Sequence, residues 1–261
     1  MTDDGLGLLP KFAAAIEALP RSELSDADLA PFLIDNVSPV KIFYAPFDWI
    51  NTSARVVVCG ITPGRHSMCN ALKAAQSALL EGRSLEQASE DGKRTGSFSN
   101  MRKPLAEMLD NLGLHEILKI PSTISLFGSD GQDRHLLQAT SCVRYPVFVN
   151  GKNYTGHSPK LLKSLTLLNY IENVLGAELK RLPNALIVPC GAAVEDALRH
   201  LASTGIVDEG SCLFGFPHAS GANGHRKKFF TERRGAMAEK VKTWSFQLAG
   251  EKKWTNLPRK Y

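Results

Sequence analysis

Two stretches of this chain gather small, polar and glycine residues where chemistry could be done. The first is Gly60-Ile61-Thr62-Pro63-Gly64, which follows a run of β-branched residues. Proline fixes φ and glycine permits positive φ, so this is a tight turn carrying one hydroxyl, that of Thr62. The second runs Phe216-Pro217-His218-Ala219-Ser220-Gly221-Ala222-Asn223-Gly224-His225-Arg226. Its two histidines, serine and asparagine sit in a glycine-rich loop that leads into a basic segment. Small hydrogen-bonding loops of this kind are suited to contacting a phosphate backbone. From His225 to Arg234 there are five Lys/Arg against one Glu, and Lys252, Lys253, Arg259 and Lys260 add charge nearer the end. Neither stretch has the spacing of a dinucleotide or Walker loop. No G-x-S-x-G nucleophile elbow occurs, and the five scattered cysteines form no C-x-x-C pair. No cofactor and no metal are therefore expected.

The elements that must position these loops can be read from hydrophobic periodicity. Strands are expected at 55–60, 122–127, 136–143, 185–190 and 212–216, where apolar and β-branched residues run together. Helices are expected at 8–19, 25–34, 67–80, 100–112, 158–175, 192–201 and 226–248. Ser158 and Pro159 read as the N-cap and first position of the fifth. Residues 82–99 read as a long exposed loop and 144–156 as irregular. Strands alternating with helices imply a mostly parallel sheet covered on both faces, with its ligand at the carboxyl ends of the strands.

With 261 residues, 43% of them hydrophobic and 22% charged, the chain has the composition of an ordinary globular protein. No apolar run is long enough for a transmembrane helix. Met1 to Leu9 is acidic and lacks the apolar core of a signal peptide, so a cytoplasmic location is expected. A net charge of +5 permits nucleic-acid binding without demanding it. Cys59, Cys142 and Cys190 lie in strand-like runs and read as small buried hydrophobes.

The two loops resemble motifs of the uracil-DNA glycosylase superfamily. Its first motif, G-x-[D/N/E]-P-[Y/G], is similar to residues 60–64, and its second, H-P-S-x-x-[S/N] followed by H-R, to residues 218–226. Thr95-Gly96-Ser97-Phe98 with Pro104 and Leu105 is similar to a G-x-P-F helix-opening segment. Gly151-Lys152-Asn153 followed by Ser158-Pro159 is similar to a G-R-N-x-T-P stretch. The resemblance runs in order from about residue 45 to 245. It implies a three-layer α/β/α fold with a central, mostly parallel four-stranded sheet. A single domain, 1–261, would carry a helical extension over 1–45. The implied activity is hydrolysis of the N-glycosidic bond of a flipped uracil or other damaged base in base excision repair. The alternative is a protein that binds DNA or a flipped base without excising it.

Carried over residue by residue, the resemblance makes Thr62 and His218 catalytic. Thr62 would position water where the family uses a carboxylate or amide, and His218 would stabilise the departing base. Ile61, Gly64, Phe98, Ser141 and Asn153 would bind the base: Phe98 by stacking, Ser141 or Asn153 by reading its edge, and Gly64 by leaving room for a larger base. Ser220, Gly221, Ala222, Asn223, His225, Arg226 and Lys227 would contact DNA. Because Ala222 is a poor wedge, single-stranded or distorted DNA is the expected partner. A monomer with no membrane association is expected. His66, Asp130 and Asp133 stand as alternatives to Thr62 for water activation.

Overall fold

The computed structural model describes residues 7–128, 130–220 and 226–255, with the backbone alone at 226 and 246–255. In chain order its elements are helices α1 (Leu9–Glu17) and α2 (Asp26–Leu29), then strands β1 (Leu33–Val37), β2 (Val40–Phe43) and β3 (Val56–Gly60). Helices α3 (Arg65–Leu80), α4 (Leu85–Gly96), α5 (Arg102–Asn111) and α6 (Leu114–Leu118) follow. Strands β4 (Leu137–Ser141), β5 (Val147–Val149) and β6 (Lys152–Asn153) precede helices α7 (Leu165–Tyr170) and α8 (Gly176–Lys180), which a π turn joins. Strand β7 (Leu186–Pro189) and helices α9 (Ala192–Ser203) and α10 (Arg226–Thr255) follow.

The fold is mixed α/β. Its centre is a parallel sheet in the order β4-β3-β7, with Val56 opposite Leu137 on one side and Leu186 on the other. Every residue of β3 and β7 is buried. Alternation along β3 feeds two apolar cores. Val57 and Cys59 join a core with Phe12, Leu72 and Leu198, and Val56 and Val58 join one with Leu109, Phe230 and Trp244. Helix α10 docks by Phe230, Met237, Val241 and Trp244, and the Trp244 indole N–H donates to the Asn184 carbonyl at 3.1 Å.

Several expectations need correction. Among the described residues the central sheet has three strands rather than four. The fourth, expected at 212–216, contracts to one parallel bridge between Cys212 and Ile187. Gly215 turns the chain there with φ of 90°, and its N–H is taken by Glu195 Oε2 at 2.7 Å, so no ladder continues. A separate antiparallel sheet, β1-β2-β5-β6, occupies stretches read as helical extension and as irregular chain. Val40 and Ile42 anchor it in the first core. Residues 122–127 form no strand; Thr123–Leu126 is a 3-10 turn gathered by Asp110, which accepts from the Thr123 N–H (2.8 Å) and hydroxyl (2.7 Å).

The supposed loop at 82–99 is helix α4, opened by a capping box between Ser84 and Gln87. Its glycines are packing residues: a Cβ on Gly92 would lie 2.7 Å from Pro46, and one on Gly96 only 2.6 Å from the Ser67 carbonyl. The helix expected from Ser158 begins at Leu165 instead. The intervening chain folds into a turn held by the Tyr154 hydroxyl on the Pro159 carbonyl and by burial of Leu161.

Candidate functional site

The three parallel strands end together at Gly60, Ser141 and Pro189, and a cavity of about 580 Å³ opens over those ends. Ile61, Thr62, Gly64, Phe98, Ser141, Asn153, His218 and Ser220 all line it. Eight sequence candidates from five separate stretches thus converge on one space, at the carboxyl ends of the strands. Gly221, Ala222, Asn223 and His225 lie outside the described residues. Arg226 begins α10, and Lys227 is exposed in its first turn.

Phe98 follows the end of α4 with φ of 51°, a left-handed conformation that costs energy for any residue but glycine. Arg102 holds this bend. Its Nη2 donates to the carbonyls of Arg94 (2.8 Å), Thr95 (2.7 Å) and Ser97 (3.1 Å), which the end of α4 leaves without partners. The Phe98 ring is thereby laid against Gly60, where even a Cβ would stand only 3.3 Å from it.

His218 is packed over Gly191, whose φ of 97° and 3.0 Å Cβ clearance to His218 exclude a side chain. Its Nδ1 accepts from the Ser220 backbone N–H at 3.2 Å and lies 2.9 Å from the Ser220 hydroxyl. An N–H can only donate, so the neutral ring carries its hydrogen on Nε2. Burial pushes the His218 pKa down, which keeps the ring neutral.

Thr62 is engaged elsewhere. Its hydroxyl donates to the Tyr145 carbonyl at 2.8 Å and accepts from the Val147 N–H at 3.0 Å, tying the turn after β3 to β5. One lone pair is left, and the hydrogen is taken up, so a water-activating role is poorly served. Gly64 does not leave the space expected of it either. The Asn153 amide fills it, 3.3 Å from where a Cβ would sit, with Oδ1 accepting from the Arg65 N–H at 2.9 Å. The donor half of that amide and one lone pair of Oδ1 are left over.

No carboxylate lines the cavity among the described residues. Of the alternatives for water activation, His66 lines it, whereas Asp130 and Asp133 do not. The His66 Nε2 pairs with the Asn70 amide at 3.1 Å. His157, which the motifs did not indicate, also lines the cavity. Its Nδ1 donates to the Thr155 carbonyl at 2.9 Å, which leaves a lone pair on Nε2.

Below the cavity lies a buried charge cluster that sequence reasoning missed. Glu178 on α8 is fully buried and accepts from Arg144 Nη2 (2.7 Å), from the Gln138 amide and from Lys93 Nζ (3.4 Å). Burial pushes its pKa up, but Lys93 and Arg144 overcome this and hold it at about 2. Burial pulls Lys93 down to about 8. Asp48 receives the hydroxyls of Tyr44 (2.9 Å) and Tyr145, and burial raises its pKa. The signal for Lys93 was present in the Ser84–Gln87 capping box, which makes its segment a helix.

No family model matches this sequence, and no solved structure matches it. Its sequence is 38% identical over 242 residues to the uncharacterized protein YoxB of Bacillus subtilis (strain 168), covering 91% of this chain and 93% of that protein. At that identity, over nearly the whole of both chains, the protein belongs to the family of Bacillus subtilis YoxB.

Proposed function

We propose that this protein is a DNA glycosylase with a variant of the uracil-DNA glycosylase fold, acting on a base extruded from single-stranded or distorted DNA. One observation carries the reading. Phe98, Asn153, His218 and the Ile61–Gly64 turn, each on a separate motif, line one cavity at the sheet's carboxyl end together with Ser141. The extruded base stacks on Phe98, which repays part of the few kcal/mol that flipping costs. The C–N bond to the sugar breaks with its electron pair leaving on the base. Neutral His218, carrying its hydrogen on Nε2, donates to the oxygen where that charge collects. Water adds through oxygen to the sugar carbon and gives up a proton, so the products are a free base and an abasic site. His157, with its Nε2 lone pair, is the lining group suited to take that proton.

A binding-only reading has one observation in its favour: the Thr62 hydrogen is taken up by Tyr145, and no carboxylate among the described residues faces the cavity. Oligonucleotides carrying uracil, hypoxanthine, xanthine or ethenocytosine decide between the two. Alkali-labile abasic product that disappears in His218→Ala supports excision. Salt-sensitive binding with no abasic product from any of them identifies a reader instead.

A further inference from the structure

Arg144 lies just past the end of β4 and lines the cavity, yet no motif assigns it a role. Its guanidinium is held from behind. Nε and Nη2 donate to Glu178 Oε2 at 3.2 and 2.7 Å, and the side chain is only 12% exposed. Nη1 makes no hydrogen bond to any described residue, so its two hydrogens need an acceptor. Arg144 and Lys93 share the carboxylate of Glu178, while the Asp48 carboxylate accepts from two tyrosine hydroxyls. Thr140 adds to the same floor a buried hydroxyl with no partner among the described residues. A guanidinium N–H pair and a hydroxyl that both lack acceptors among the described residues favour a negatively charged group above them.

Resting on the excision reading above, we propose that Arg144 carries part of the negative charge on the departing base, with Glu178 holding the guanidinium in place. His218 and Arg144 approach from different loops, so the base anion is met by two donors rather than one. No covalent bond to the protein forms; the electron pair of the broken C–N bond stays on the base until a proton from solvent or water neutralises it.

The test compares two leaving groups in single-turnover excision at pH 7. Single-stranded oligonucleotides carry either uracil or 5-fluorouracil, whose anion is intrinsically more stable. Arg144→Met is expected to lose about 100-fold on uracil, the range for removing one such donor. On 5-fluorouracil the loss should be markedly smaller. Arg144→Lys, which keeps the charge, should recover part of the uracil activity and show the same imbalance. It decides the matter if the methionine variant does not fold. Equal losses on the two bases, or no loss, would overturn the proposal and leave excision standing. A wild-type protein that releases neither base overturns this inference, and the excision reading falls with it if hypoxanthine, xanthine and ethenocytosine are not released either.

Discussion

Thr62 and His218 are both small polar groups in turns after a buried segment, and they differ in what their neighbours leave them. The Thr62 hydroxyl bridges a carbonyl and an N–H of the 145–147 segment. Thr62→Val should therefore cost about 2 kcal/mol of stability in denaturant melts, because the Val147 N–H is stranded. Thr62→Ser should cost well under half of that. A valine variant as stable as wild type would remove the fastening role. His218 carries its ring hydrogen on Nε2. Its folded pKa lies below the ordinary 6.5, so its stabilising contribution is complete above that value. It is lost as pH falls toward the depressed folded value. Unfolding free energies measured across this range should slope upward with pH, and His218→Ala should flatten part of the slope.

At the scale of elements, the site depends on how helices α4 and α8 close over the edge of the sheet. Gly92 and Gly96 let α4 approach Pro46 and α3, which brings Lys93 to Glu178 and sets the bend at Phe98. Glu178 is the centre of this arrangement. Glu178→Gln leaves two buried cations without their carboxylate and should cost about 3–5 kcal/mol. The pH dependence has two limbs. The Glu178 contribution is complete above 4.5 and is lost as pH falls toward about 2. Lys93 binds its proton less tightly folded than unfolded, so stability should rise with pH from about 8 to 10.5. Lys93→Met should abolish that alkaline rise; a rise of unchanged size in the variant would mean that another group titrates there.

For the molecule as a whole, DNA is expected to contact the exposed start of α10 as well as the cavity. Lys227, Lys228, Arg233 and Arg234 are exposed along the first turns of a helix anchored by Phe230 and Trp244. Binding to a single-stranded oligonucleotide should weaken steeply as salt rises. Replacing Lys227 and Lys228 together by alanine should reduce the slope of log affinity against log salt by roughly 1.4, since each single-strand phosphate contact contributes about 0.7. A slope identical to wild type would exclude this helix from the interface.

The sequence by itself determined the strands that bear the site and the turns that follow them. The β-branched runs ending at Gly60 and Cys190 lie in a sheet buried on both faces, where composition alone dictates strand, and Pro63, Gly64 and Gly191 permit little but a turn. It also singled out Phe98 and His218, both of which line the cavity. What the tertiary structure alone decided was which polar groups keep free hydrogen-bonding capacity. Thr62 loses its hydrogen to a carbonyl 83 residues away, and Asn153 fills the room beside Gly64 from β6. Arg144 and Lys93 become a charged floor only because Glu178, on a distant helix, folds in between them. Local periodicity records the burial of a side chain; it carries no record of the distant partner that its polar atoms will meet.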